Sequence, residues 1–296
     1  MQEDGCSSGE PISFVKKLHF SFGFFDSEMP KAIADHVRAM TEDNPDFDVI
    51  VWGPTQSRDL IKEFYPAYLK KYDSFRIPIQ RSDASRYAIL HRHGGVYADL
   101  DYDFKKPLAV VLQVAFSLKG ASTADGGRMP TNAFVNETPN ATSLRRRASN
   151  SLMGARAPGH PFWLVVMDTV NQGMGFTKHQ RIMTSAGPQA VDRALARWRE
   201  AHNNSTYDVV LLPKHVFNPC SVCNRNALAA AKHPQVLAVH NNGGTWHTPA
   251  GSFMNTCFCD WPWLVTVIIL VALVVAFATL WGVQMQARRR ASNRVS

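Results

Sequence analysis

From Trp261 to Val283 the chain carries no charged residue. At about 1.5 Å per residue, a helix over this stretch runs about 34 Å, enough to cross a hydrocarbon core of about 30 Å. Trp261, Trp263 and Trp281 sit near its ends, where amphipathic rings favour the membrane interface. The competing reading, a buried core helix, is disfavoured because such helices rarely stay apolar all round for this long. No acidic residue follows Asp260, whereas Arg288, Arg289, Arg290 and Arg294 do. The net charge is 32 − 24 = +8, and without those four arginines it is 28 − 24 = +4. Half of the excess is therefore a tail, which argues against a broad basic face and against nucleic acid as partner. Arginines directly after a span favour a cytoplasmic tail, which puts residues 1–260 on the lumenal side. Asn136, Asn140, Asn203 and Asn204 stand in glycosylation triplets that fit a lumen. Met1 to Pro11 is polar and shows no signal peptide. Either a preceding segment is missing, which keeps the favoured lumenal arrangement, or the chain is tail-anchored and faces the cytosol.

The rest of the chain reads as a folded α/β domain. Hydrophobic residues make up 45% and charged residues 19%, which excludes a disordered chain. Five cysteines are too few for a disulfide-built fold. Strands are expected at 17–22, 48–52, 96–99, 152–155, 209–212 and 236–240. Helices are expected at 30–42, 57–64, 67–72, 81–92, 161–172 and 189–202, alternating with the strands. Residues 107–118 are apolar and ambiguous. Residues 120–149 read as a long loop, a lid or acceptor-facing segment. The expected division is a polar segment at 1–14, one domain at 15–255, a span at 261–283 and a basic tail at 284–296.

The most informative segment runs from Arg81 to Asp103. Asp83 and Arg86 are three apart on a helix and so share a face. Gly94-Gly95 turns the chain into a strand. Asp99, Asp101 and Asp103 follow at period two, so their side chains point to one side if the strand continues. Carboxylates crowded on one side repel, and a hard divalent cation relieves that while also binding a diphosphate. An EF-hand shares the Asp-x-Asp-x-Asp opening but needs Gly at its sixth position and Glu at its twelfth; Phe104 and Val110 stand there. An aspartyl-phosphate hydrolase and a solvated acidic turn are the other competitors.

The composite of Asp83, Arg86, Gly94, Gly95, Tyr97, Asp99 and Asp101 resembles the sugar-binding region of the family 32 glycosyltransferases. That family includes inositol-phosphoceramide mannosyltransferases and yeast Golgi α-1,6-mannosyltransferases. Further segments are similar in the same order: Lys17 to Phe20, Asn150 to Ala155, Pro158 to Phe162, Ser185 to Pro188 and His240 to Trp246. Two departures occur. Phe22 stands where the family usually has Trp, and Thr245 replaces Ser in the closing element.

The resemblance implies a GT-A fold, a Rossmann-like α/β sheet binding a sugar nucleotide at its strand ends. It implies Mn²⁺ or Mg²⁺ held by Asp101, by Asp99 and by His240, whose alternative is a buried core histidine. It implies Asp83, Arg86, Asp99 and Asp101 as catalytic residues. Phe22, Asp83, Arg86, Tyr97, Asp99, Asn150 and Trp246 would bind the nucleotide sugar, with Phe22 on the base and Trp246 over the diphosphate. The implied activity is retaining transfer of a sugar, first of all mannose from GDP-mannose, onto a glycolipid such as inositol-phosphoceramide or onto a glycan, at a Golgi or ER membrane. UDP-sugar-dependent galactosyl or N-acetylglucosaminyl transfer, and an inactive membrane adaptor that keeps the fold, are the alternatives. Homo- or hetero-oligomers stay open. Cys220, Cys223, Cys257 and Cys259 form two close pairs, read as lumenal disulfides ahead of free thiols or zinc, with Cys6 left over.

Overall fold

Alternation within buried strands builds a sheet that is covered on both faces. The computed structural model describes residues 12–24, 28–118, 131–138, 146–202, 208–219, 232–241 and 262–292, with side chains of the last segment described over 266–285. By contact the chain divides into two units, one holding residues 1–221 and 225–246, the other 222–224 and 247–296.

In the first unit β1 (Lys17–Ser21), β2 (Asp48–Trp52) and β3 (Gly95–Ala98) run parallel. Then β6 (Ala148–Ala155) lies antiparallel to both β3 and β5 (Ala133–Glu137), and β5 pairs in parallel with β7 (Val209–Leu212). The order is β2-β1-β3-β6-β5-β7. A separate antiparallel ribbon joins β4 (Tyr102–Phe104) to β8 (Ala238–His240).

Leu18, Phe20, Val96, Ala98, Phe134 and Leu152 point to one face, into a core shared with Met40 of α1 (Lys31–Asp43) and the apolar side of α5 (Leu108–Ser117). Tyr97, Val135 and Met153 point to the other. There they meet α2 (Pro54–Phe64), α3 (Pro66–Asp73), α4 (Pro78–His93), α6 (Phe162–Thr169) and α8 (Pro188–Ala201). This period-two division of fully buried strands is what a doubly covered sheet demands. The apolar 107–118 stretch resolves as a helix because Leu108, Val111, Leu112 and Ala115 repeat at helical spacing.

α4 starts at Pro78, where a missing N–H costs nothing, and Gln80 turns its side chain back to accept from the Ile77 N–H at 3.3 Å. It ends at Gly94 and Gly95, with φ of 66° and 80°. A Cβ on Gly95 would lie 2.5 Å from the Lys17 carbonyl oxygen, so the chain passes flush against β1 there. The buried His19 clamps the same turn. It has Nε2 2.9 Å from the Gly94 carbonyl, and its Nδ1 accepts from Trp52 Nε1 at 3.1 Å. Burial drives its pKa down to about 3, so it is the neutral imidazole that donates to Gly94.

Three expectations are corrected. Residues 120–149 are not one loop: β5 lies inside, and β6 begins at Ala148 rather than Leu152. Ala133, Phe134 and Val135 are fully buried, so this stretch is sheet interior. Two short helices, α7 (Lys178–Thr184) and α9 (Lys214–Phe217), were not expected, and α6 stops at Thr169, short of residue 172. Asn136 is no glycan acceptor: it is fully buried, and its side-chain amide donates to Tyr102 and Ser151. Asn140, Asn203, Asn204 and all five cysteines lie outside the described residues.

In the second unit α10 (Pro262–Ser292) carries an apolar run from Thr266 to Met285. Its 20 residues span about 30 Å as a helix, long and apolar enough to cross a membrane. None of the run is buried.

Candidate active site

The C-terminal end of β3 delivers Asp99 to the edge of the sheet. The strand does not continue through the acidic run. The Tyr102 N–H donates to the Asp99 carbonyl at 3.0 Å, closing a turn over residues 99–102. That turn, rather than strand alternation, brings the Asp99 and Asp101 carboxylates together. Asp103, expected on the same side, is instead in β4 and pairs with Lys105.

The ribbon supplies the third group. Tyr102 and His240 are directly paired across β4 and β8, and their rings stack at 4.9 Å with an interplanar angle of 7°. Tyr102 is itself held, since Asn136 donates to its hydroxyl at 2.8 Å. The stacked ring places His240 Nε2 2.9 Å from Asp101 Oδ1 and 3.9 Å from Asp99 Oδ2. One ligand atom each from Asp99, Asp101 and His240 lies within 4.8 Å of the others. Two hard carboxylate oxygens and one imidazole suit Mn²⁺ or Mg²⁺, and the residues present fit such an ion.

Behind this group sits a buried charge cluster. Tyr97 points to the α4 face of the sheet, and the Arg86 guanidinium carbon stands 4.4 Å from its ring centroid. Arg86 pairs with Asp83 at 2.8 Å and with Asp99 at 3.1 Å, and donates to the Asn150 carbonyl at 2.6 Å. Asn150 Nδ2 donates to Asp83 Oδ1 at 2.9 Å, and the Tyr97 hydroxyl donates to Asp99 Oδ1 at 3.3 Å. Arg86 Nε is buried and has no hydrogen-bond partner among the described residues. Burial raises the Asp83 pKa to about 6, against the pull of Arg86 and Asn150, and Asp99 adds to the rise. Burial likewise raises Asp99, with Arg86 and His240 opposing. For His240 burial works downward, but the hydrogen bond to Asp101 and the charges of Asp101 and Asp99 outweigh it and leave the pKa raised.

Six of the residues singled out in the sequence (Asp83, Arg86, Tyr97, Asp99, Asp101 and Asn150) thus join His240 in one connected group. Phe22 directly follows β1, half-buried, at the strand end where the parallel β3 delivers Asp99. Trp246 lies outside the described residues. Tyr102 and Asn136 went unrecognised in the sequence; an asparagine directly after the apolar run Ala133 to Val135 was the available signal for the second.

A cation must displace the proton that the Asp101–His240 contact retains. Mn²⁺ affinity is therefore expected to fall with acidity, by up to about tenfold per pH unit below the raised His240 pKa. Calorimetric titration at pH 8 and pH 6 checks this. A pH-independent affinity, or an equal slope in His240→Gln, would remove His240 from the ligand set.

The chain thus combines an α/β domain, Asp-x-Asp at a strand end, a third candidate ligand from a distant strand and a buried Asp–Arg pair behind them. Residues 30–117 match the family model described as glycosyltransferase sugar-binding region containing DXD motif. The chain is 28% identical over 225 residues to mannosyl phosphorylinositol ceramide synthase CSH1 of Saccharomyces cerevisiae, covering 72% of this chain and 48% of that one. It is 31% identical over 167 residues to the synthase SUR1 of the same yeast, covering 55% and 38%. The chain thus spans half or less of these relatives' length. The solved structure of the ligand-free glycosyltransferase domain from the YGT toxin aligns with a TM-score of 0.46 at 9% identity, over 68% of this chain and 80% of that one.

Proposed function

We propose that the chain is a membrane-tethered, metal-dependent, retaining glycosyltransferase that moves mannose from GDP-mannose onto a glycolipid of the inositol-phosphoceramide kind or a Golgi glycan. The observation that carries this reading is the convergence of Asp99, Asp101 and His240 beside the buried Asp83–Arg86 pair. The names of the yeast relatives support mannose and the phosphoinositol ceramide acceptor. Asp99, Asp101 and His240 would hold Mn²⁺ or Mg²⁺, which would supply positive charge to neutralise a diphosphate leaving group.

The chain's own residues do the positioning. Asp83 accepts from the donor-sugar hydroxyls, in a pocket where Arg86 and Asn150 fix its carboxylate. Arg86 offers Nε, its unengaged buried donor, to the sugar or its phosphate. Tyr97 fixes both Arg86 and Asp99 from beneath. Phe22 stacks on the base. Residues 15–255 form the catalytic domain, facing the Golgi or ER lumen; residues 261–283 are the span and 284–296 the basic tail.

The test is turnover by the full-length protein in detergent against a panel of GDP- and UDP-sugars. We expect hydrolysis or transfer from GDP-mannose that stops on chelation and returns with Mn²⁺. Turnover of UDP-sugars alone would reassign the donor, and undiminished turnover after chelation would remove the metal from the reading.

A further inference from the structure

The segment between α6 and α8 presents apolar side chains outward and holds them there. Met174 is 76% exposed and Phe176 is 102% exposed. They are not on a loose loop. The Met174 N–H donates to Thr184 Oγ1 at 2.7 Å, and that hydroxyl donates back to the Met174 carbonyl at 2.9 Å. Gln180 Oε1 accepts from the Phe176 and Thr177 N–H groups at 3.0 and 3.2 Å, and Thr177 caps α7 by accepting from Gln180 N at 3.1 Å. Gly175, at φ 123°, leaves no room for a side chain, since a Cβ would lie 2.4 Å from that of Gln180. A tip built this rigidly cannot fold its Met and Phe back onto the domain.

Along the chain, the tip segment carries charge of one sign. Between Asp168 and Asp192 there is no Asp or Glu, while Lys178 and Arg181 are exposed beside the tip. An apolar tip flanked by cations suits the boundary between acyl chains and anionic head groups. The tip also lies at the active-site end of the domain. Gln80, one turn before Asp83 on α4, donates to the Gln172 carbonyl at 3.4 Å and to Ser185 Oγ at 3.0 Å. Gln172 donates in turn to Ser74 at 2.6 Å.

We infer that Met174 and Phe176 insert into the lipid surface, with Lys178 and Arg181 on its anionic head groups, and so orient the active site toward an acceptor carried in the bilayer. The use made of this docking rests on the glycosyltransferase reading; the docking itself does not. The experiment places full-length Phe176→Trp protein in phosphatidylcholine–phosphatidylinositol vesicles made with and without brominated acyl chains. The emission added over the parent protein is expected to be blue-shifted, to be lost in the brominated vesicles, and to reappear when Lys178→Glu and Arg181→Glu are added. Emission that stays at its water-exposed wavelength and survives brominated lipid overturns the inference. Mn²⁺-dependent GDP-mannose binding is measured on the same vesicles. Donor bound with the introduced indole unquenched defeats the docking alone, whereas an indole quenched without donor binding defeats the donor reading alone.

Discussion

Asp101→Asn is expected to reduce sugar transfer by about three orders of magnitude while leaving the fold in place. The size follows from the several kcal/mol that a cation contributes to a developing diphosphate charge, at about 1.4 kcal/mol per factor of ten. The substitution keeps the shape and the turn, because the backbone bond from Tyr102 to the Asp99 carbonyl does not involve the side chain. It replaces an anionic ligand by a neutral amide and removes the charge that Asp101 places 2.9 Å from His240. It also relieves the repulsion between two carboxylates, so a large loss of stability is not expected. The discriminating control is Asp103→Asn. Asp103 belongs to the same acidic run but turns toward Lys105, and its loss is expected to change turnover by less than about twofold, as for an exposed pair. Steady-state rates at saturating Mn²⁺, with Mn²⁺ affinity measured on each variant, separate lost binding from lost chemistry. Equal effects at positions 101 and 103 would mean that the acidic run acts only as a diffuse negative patch.

That contrast shows where a sequence stops speaking. Period-two spacing alone makes Asp99, Asp101 and Asp103 equivalent only if the strand continues. The chain turns at Asp99 instead, and a backbone hydrogen bond that no side-chain pattern announces decides which two carboxylates meet. Asp83 and Arg86 were legible because helical neighbours three apart meet without tertiary help. The contact of His240 with Asp101 depends on a ribbon pairing β4 with β8 across well over a hundred residues, so only the family resemblance pointed to it. Asn136 illustrates a different failure. Its triplet suggested a surface acceptor, yet the apolar run before it belongs to the sheet interior, and burial overrides a three-residue motif. The α/β class, by contrast, followed from the alternation of short apolar strand segments with longer segments of helical period.

Arg86→Met is expected to destabilise the catalytic unit by about 3–5 kcal/mol at pH 7, the usual result of removing one partner from a buried charge group. Arg86 is 3% exposed and is the cation facing both Asp83 and Asp99. A methionine fills much of the volume but leaves Asp83 in a low-dielectric site with only the Asn150 amide donating to it, and Asp99 with only His240 and the Tyr97 hydroxyl. The pH dependence distinguishes this from a packing defect. In the wild type Asp83 already has a folded pKa of about 6, above its unfolded value of 3.8. The folded state therefore holds the extra proton, and the Asp83 contribution to stability is lost as pH rises from about 4 to 6. Without Arg86 the folded pKa moves higher still, so the loss continues through pH 7. The deficit of the variant against wild type should be largest at pH 7 and above and shrink toward pH 5, where Asp83 is protonated in both. Removing the charge as well, in Arg86→Met with Asp83→Asn, should recover part of the stability and none of the activity. Thermal unfolding of the full-length proteins in detergent measures this directly. At about 2–4 °C per kcal/mol for a unit of this size, the single variant should melt about 10 °C lower at pH 7. A deficit of equal size at pH 5 and pH 7 would mean that the guanidinium serves as packing and that the buried carboxylates do not depend on its charge.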